Sequence, residues 1–272
     1  MLALAACGGK SARRVEFPRD RVIRVNQVQV RGTHNSYQPP LPPLERQLEE
    51  GIRQLELDAW AQPDGRFAVY HSPADRRSTC PTLDVCLAPV RTWLEAHRRA
   101  LPVYLIVENK GAAVPDVLDG AVHTALPGRL LVNPSEVVGG RWPTLAATRG
   151  RVIAVMIGVG ADRYSGGAMF VYATSGPQVA ITSRPDPVAQ AADIATLVQG
   201  GLVVRTQADG DDLLIDPRRR QAAVDSGAQI VSARDDGFLL PGGVSARCDP
   251  LIPSPCRPAD LEPPPTTTTT AG

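Results

Sequence analysis

Between residues 31 and 71, three short apolar segments each lead into groups that titrate or bind metal. The first runs into His34 and Asn35, the second carries Glu56 and Asp58, and the third ends at His71. A fourth apolar run, from Val103 to Val107, stops at Glu108-Asn109-Lys110. In an extended chain alternate side chains share a face, so Glu56 and Asp58 point one way and Leu55 and Leu57 the other. The same parity groups His34 with Val28 and Val30, His71 with Phe67 and Val69, and Lys110 with Glu108. Two strands therefore deliver three carboxylates, with the amide oxygen of Asn35 beside them. Such oxygens suit a hard cation, Ca²⁺ more readily than Mg²⁺ when protein supplies most of the cage, whereas zinc or copper would want nitrogen or sulfur. With no cation the three acids would repel one another, and at least one would keep its proton.

His34 and His71 flank these acids in sequence. A pair of imidazoles can take a proton from an attacking hydroxyl and give one to a leaving alkoxide, each role contributing about 10²- to 10⁴-fold in rate. Joined to a dication that neutralises phosphoryl oxygens, they fit the cleavage of a phosphodiester. Lys110 would add positive charge where the phosphorus gains oxygen. One geometric condition follows: strict alternation puts His34 and Asn35 on opposite faces, so the chain must turn out of its strand there for both to serve.

The elements that must position these groups alternate along the chain. Residues 22–33 read as an incoming segment and first strand, 44–50 as a helix stopped by Gly51, 52–58 as the second strand, and 67–71 as a third, hairpin-like strand after Pro63-Asp64-Gly65. Residues 83–100 have helical spacing with basic residues in the last turns, and 103–107 form a strand buried on both faces. Helices are predicted over 114–126, 144–148, 186–198 and 217–225, and strands over 152–158, 169–172, 202–205 and, last, 229–232. Strand and helix alternate throughout, with the acids and histidines at strand C-termini. That is the pattern of a parallel α/β fold, and the length suits one (β/α) barrel with irregular or missing helices.

The 272 residues, 43% of them hydrophobic, can bury one large core, and the even spread of apolar runs points to a single domain. Its 29 basic and 28 acidic residues form no basic block, so no nucleic-acid partner is expected. No apolar run reaches the roughly 20 residues that cross a bilayer. Leu4-Ala5-Ala6-Cys7 is similar to a bacterial lipobox, which would lipidate Cys7 and tether the domain to a membrane surface, although the basic start of a secretory signal is missing. The other cysteines are even in number and pair locally as Cys80 with Cys86 and Cys248 with Cys256, as expected of an exported chain in an oxidising compartment. Residues 1–20 are thus assigned to a signal remnant and tether, 21–258 to the barrel, and 259–272 to a disordered Pro/Thr tail. The protein is expected to be a monomer, either secreted or a cell-surface lipoprotein.

Residues of about 26 to 236 resemble the catalytic domain of phosphoinositide-specific phospholipases C, most closely the secreted bacterial calcium-dependent type. The resemblance rests on Gly32-Thr33-His34-Asn35-Ser36-Tyr37, Gln54-Leu55-Glu56-Leu57-Asp58, Tyr70-His71-Ser72, Ser78-Thr79-Cys80 and Val107-Glu108-Asn109-Lys110. Val204-Arg205-Thr206-Gln207-Ala208-Asp209 and Ser226-Gly227-Ala228-Gln229 look like its later blocks. It implies a distorted TIM barrel of the PLC-like phosphodiesterase type, with Ca²⁺ held by Asn35, Glu56, Asp58 and Glu108. His34 and His71 would be catalytic, His71 as the acid to the leaving group; Glu56 or Asp58 would compete with a histidine as base. Lys110 and Arg205 would meet the substrate. The implied reaction is attack of the inositol 2-hydroxyl on the phosphodiester of a phosphatidylinositol-type lipid, which expels diacylglycerol and leaves a cyclic inositol phosphate. Two other readings stand beside it. A glycerophosphodiester phosphodiesterase has a similar fold and a Glu-x-Asp pair, but usually His-Arg-Gly and Glu-Asn-Thr where this chain has His34-Asn35-Ser36-Tyr37. The other is a non-catalytic lipoprotein that binds calcium or lipid headgroups.

Overall fold

The computed structural model describes residues 17–111, 114–172, 180–210 and 215–262. The lipobox-like text with Cys7, and the chain beyond residue 262, lie outside the described residues. Eight strands run parallel: β1 (Val28–Thr33), β2 (Gln54–Ala61), β4 (Val103–Asn109), β5 (Val152–Gly158), β6 (Phe170–Val171), β7 (Ile181–Ser183), β8 (Val203–Gln207) and β9 (Ile230–Ala233). Their spatial order is β6-β5-β4-β2-β1-β9-β8-β7, a sheet curled into a nearly closed eight-stranded barrel whose end strands, β6 and β7, are not paired with each other. Two further strands join it antiparallel: β3 (Phe67–Val69) folds back on β2, and β10 (Ala246–Cys248) lies along the first half of β1.

The barrel's two faces follow from the period-two pattern of its strands. Leu55, Leu57, Leu105 and Val107 pack outward with Leu48, Leu87, Leu94 and Leu118 of the helices α1 (Leu44–Glu49), α2 (Leu83–Ala96) and α3 (Pro115–Ala125). Val28, Val30, Tyr104, Ile106, Ile153, Val155, Val203 and Ile230 form a second cluster on the opposite, inner face. Glu56, Asp58, Glu108 and Arg205 fall on that inner face by alternation, one or two pleats above the apolar plug. Gly32 is required there: a Cβ on it would stand 2.1 Å from Oε1 of buried Gln54, so only glycine lets β1 and β2 approach.

Local punctuation sets several boundaries as expected. Alpha-helix α6 (Pro217–Asp225) starts on Asp216, whose side chain accepts from the Arg218 N–H, with Pro217 in the first turn and Gly227 in the left-handed region beyond its end. The short α4 (Leu145–Thr148) and longer α5 (Ala191–Gln199) complete the set.

Other expectations need correction. Helix α2 ends at Ala96 rather than residue 100, because His97 leaves the helix to stack on Trp93, ring centroids 4.4 Å apart. The strand over 229–232 is not the last, since β10 follows it, and β7 was not anticipated; each spans three residues, too few for alternation to show. Nor is the proposed tether free throughout: Phe17 packs under the guanidinium of Arg149 at 3.7 Å, and Asp20 pairs with Arg149. Residues 259–262 also belong to the fold, for Asp260 and Leu261 are buried and Glu262 pairs with Arg53 at 2.7 Å. Both disulfides form as read, Cys80–Cys86 and Cys248–Cys256. Among the described residues no helix is long and apolar enough to cross a membrane.

Candidate active site

The acids and histidines gather at the C-terminal mouth of the barrel. Pairing of β2 with β4 sets Asp58 directly opposite Glu108 and Glu56 opposite Ile106, so two strands raise three carboxylates on one inner face. The turn demanded between His34 and Asn35 is present: Asn35 has φ 51°, in the left-handed region, one residue beyond His34 and two beyond the end of β1. Asparagine tolerates that conformation better than most residues, and its surroundings hold it there. Ser36 donates its N–H to the Glu56 carbonyl (3.0 Å), and its Oγ accepts from the Glu56 N–H (2.8 Å) and bonds to Thr33. Buried Gln47 of α1 donates to the Ser36 carbonyl at 2.6 Å and accepts from Thr33 Oγ1 at 2.7 Å. Thr33, Ser36 and Gln47 were not singled out in the sequence, although the Thr-His-Asn-Ser run was the available signal for the first two.

The turn brings Asn35 Nδ2 within 3.4 Å of His71 Nδ1, and that nitrogen lies 3.4 Å from Asp58 Oδ2. One ring nitrogen of His71 is therefore engaged with protein, which leaves Nε2 for proton exchange. His71 does not share the face of Phe67 and Val69, which are buried in the outer core. Strand β3 stops at Val69, alternation lapses, and the His71 side chain stands 45% exposed at the cavity. Across from it, His34 Nε2 lies 3.9 Å from Glu56 Oε2. The two imidazoles line a cavity of about 760 Å³ together with Asn35, Gln38, Asp75, Arg77 and Arg234, a size suited to a small polar ligand. Gln38 donates to Asp75 at 2.8 Å and Arg77 pairs with Asp75 at 2.7 Å, so the rim is itself cross-linked. None of these four was picked out from the sequence.

The mutual repulsion expected of the acids is met by the chain's own cations. Arg205 rises from β8 on the far side of the barrel and pairs with Glu56, with Ser232 Oγ also 3.3 Å from its guanidinium; both side chains of the pair are only 4% exposed. Lys110 Nζ lies 3.2 Å from Asp58 Oδ2 and 3.0 Å from Glu108 Oε2. Burial disfavours charge on that ammonium, but its hydrogen bond to Glu108 and the attraction of both acids more than compensate, and its pKa is raised. Asp58 is pushed up to about 6, mainly by burial and further by the charges of Glu108 and Glu56, against the pull of Lys110. Tyr37, fully buried beside Asp58, has its phenol driven well above its ordinary pKa by burial and by that carboxylate.

Among the described residues no three His, Cys, Asp or Glu side chains already close on one ion-sized point, because Glu56 is turned to Arg205 while Asp58 and Glu108 share Lys110. The donor chemistry nevertheless fits a hard dication. The set offers oxygen alone, and the buried Asp58 carboxylate, beside Glu108 and Glu56, already draws a cation, the Lys110 ammonium, to within 3.2 Å.

A parallel barrel with paired histidines over buried carboxylates at its C-terminal mouth is the framework of a phosphodiester-cleaving enzyme. Comparison with known families makes this specific. The model of phosphatidylinositol-specific phospholipase C, X domain, matches residues 31–156, and that of phosphoinositide phospholipase C, Ca²⁺-dependent, matches residues 131–236. Together they span most of the chain, which belongs to the phosphatidylinositol-specific phospholipase C family and is a phosphodiesterase of that type. No curated protein matches it. Among solved structures, a calcium-dependent phosphoinositol-specific phospholipase C from Pseudomonas sp. is similar with a TM-score of 0.67 at 18% identity, over 85% of this chain and 97% of that one; it has also been solved as a myoinositol complex. A Ca²⁺-dependent enzyme from Streptomyces antibioticus matches with TM-score 0.60 at 18% identity, over 79% of this chain and 95% of its own. A Staphylococcus aureus phosphatidylinositol-specific phospholipase C variant matches with TM-score 0.58 at 13% identity, covering 82% and 90%. These likenesses establish the distorted TIM barrel.

Proposed function

We propose that the chain is a calcium-dependent phospholipase C that cleaves phosphatidylinositol-type lipids to diacylglycerol and a cyclic inositol phosphate. The observation that carries this reading is the cavity itself, with one imidazole on each side and three acids from two strands beneath. Asn35, Glu56, Asp58 and Glu108 would hold the ion, which when bound supplies positive charge to the phosphoryl oxygens and acidifies a coordinated hydroxyl. His34 takes the proton of the inositol 2-hydroxyl as its oxygen bonds to phosphorus; Glu56, already committed to Arg205, stands behind Nε2 to stabilise the imidazolium. His71 gives a proton from Nε2 to the glycerol oxygen as its bond to phosphorus breaks, with Asp58 fixing the protonated ring by accepting from Nδ1–H. Lys110 would add positive charge where the phosphorus gains oxygen. Arg205 acts on the substrate through Glu56, its guanidinium being buried against that carboxylate. Two disulfides support an exported enzyme, and lipidation of Cys7 would hold it at the membrane carrying its substrate.

The test is a phosphodiester substrate panel with and without chelator. Phosphatidylinositol is expected to turn over only with calcium present, and His34→Ala or His71→Ala to lower the rate by about 10²-fold or more while the far-UV spectrum and melting midpoint stay native. Turnover of glycerophosphocholine with phosphatidylinositol untouched would instead identify a glycerophosphodiester phosphodiesterase. Calcium binding with no turnover of any diester would identify a binding protein.

A further inference from the structure

Asp58 and Glu108 face each other across neighbouring strands, and the cation between them belongs to the chain: Lys110 Nζ reaches both carboxylates, at 3.2 and 3.0 Å. The lysine backbone is fixed, its N–H bonded to the Ala59 carbonyl at 3.0 Å, so movement of the ammonium rests with its flexible four-carbon stem. A calcium ion seeking oxygens of Asp58 and Glu108 would need the space and the lone pairs that this ammonium takes. The two cations of the site differ in their freedom. Arg205 is enclosed at 4% exposure, whereas Lys110 and Glu108 are 21% and 28% exposed. Charge balance selects the same exchange. Three carboxylates against Arg205 and Lys110 leave one negative charge uncompensated; replacing Lys110 by a dication brings the site to neutrality, while keeping both would leave it positive.

Resting on the calcium reading above, we propose that Lys110 is the resident counter-ion of the metal site. In the ion-free enzyme it holds Asp58 and Glu108 together, and calcium displaces its ammonium from between them, which frees that charge for the phosphate of the substrate. Lys110 thus couples metal occupancy to substrate recognition.

The experiment compares metal-stripped full-length wild type with Lys110→Met, and with Lys110→Gln, which keeps a donor for Glu108 and guards against loss of folding. Calcium chloride is titrated in by calorimetry. The variants are expected to bind calcium roughly two- to fivefold more tightly, the size set by a partly exposed ion pair that no longer has to be broken. Their melting midpoints in chelator should fall below wild type, and calcium should raise them by more. A readout that mere stabilisation would not move is the carbon-13 spectrum of reductively methylated lysines: one resonance, absent from both variants, should shift on adding calcium. Wild type that binds calcium while the variants bind it equally or more weakly overturns the proposal, as does a Lys110 resonance indifferent to calcium. Wild type that binds no calcium refutes the metal-site reading itself, and this proposal with it.

Discussion

Replacing Arg205 by methionine keeps the stem of the side chain and removes the cation that serves Glu56. Both partners are 4% exposed, and the guanidinium's nearby oxygens are those of Glu56, Ser232 and Tyr172. Breaking a buried pair by deleting one member typically costs about 3–5 kcal/mol, because the remaining charge stays desolvated. For a domain of this size that corresponds to a fall in melting midpoint of roughly 6–20 °C. A stranded charge differs from a simple packing loss in what restores stability. If the cost is the stranded charge of Glu56, then Glu56→Gln in the same chain should restore much of it, and a double-mutant cycle should return a coupling of about 2–3 kcal/mol. Urea denaturation of wild type, both single variants and the double variant, all in chelator, measures each corner. Additive effects within about 0.5 kcal/mol would refute the reasoning, since independent sites add and a stranded partner does not.

Two further outcomes follow from the fold. Asp249 is buried, its Oδ1 accepting from the Leu251 and Ile252 N–H groups at 2.8 and 3.2 Å while Oδ2 has no partner, and burial pushes it up to about 6. Its folded pKa lies above the unfolded one, so the native state holds the proton more tightly and stability falls as pH rises from about 4 to 6. Asp249→Asn should therefore gain about 1–3 kcal/mol at pH 8 and almost nothing at pH 4, as read by urea midpoints at the two values; an equal effect at both would exclude the charge as its cause. Gly32→Ala drives a methyl group to within 2.1 Å of Gln54 Oε1 and should cost about 1–3 kcal/mol by thermal melting. A neutral result would mean that β1 and β2 do not approach as described.

Much of the scaffold was legible because its signals are local. Strand β5 and helix α6 carry their own boundaries, Gly158 at the end of one and Asp216-Pro217 with Gly227 around the other, and both match the residues expected of them. The inner face of β2 and β4 was legible for a related reason: alternation inside a strand needs no knowledge of neighbours, and it puts Glu56, Asp58 and Glu108 on one surface. What escaped depends on contacts remote in sequence. Strand β10 exists because β1 offers it an edge, and Arg205 finds Glu56 at a separation of 149 residues with nothing local to announce it. The face of His71 was misassigned because alternation was carried two residues past the end of β3. The left-handed Asn35 could be required on geometric grounds but not located, since Ser36, Gln47 and the Glu56 backbone enforce it from outside the turn.

The same distinction explains how this chain keeps three acids together at the mouth of a barrel. Placed by alternation, they would oppose folding wherever no metal ion was bound, and the chain answers with two cations of different kinds. Arg205 is planar, enclosed and bound to an acid on the opposite wall, so it ties β8 to β2. Lys110 is a partly exposed point charge on a flexible stem two residues beyond Glu108, so its bond to Asp58 and Glu108 can be exchanged without unfolding a strand. An arginine at 110 would grip the two carboxylates in a fixed fork and obstruct that exchange. Lysine compensates the acids while leaving the site accessible, which is what the proposed exchange with a metal ion requires.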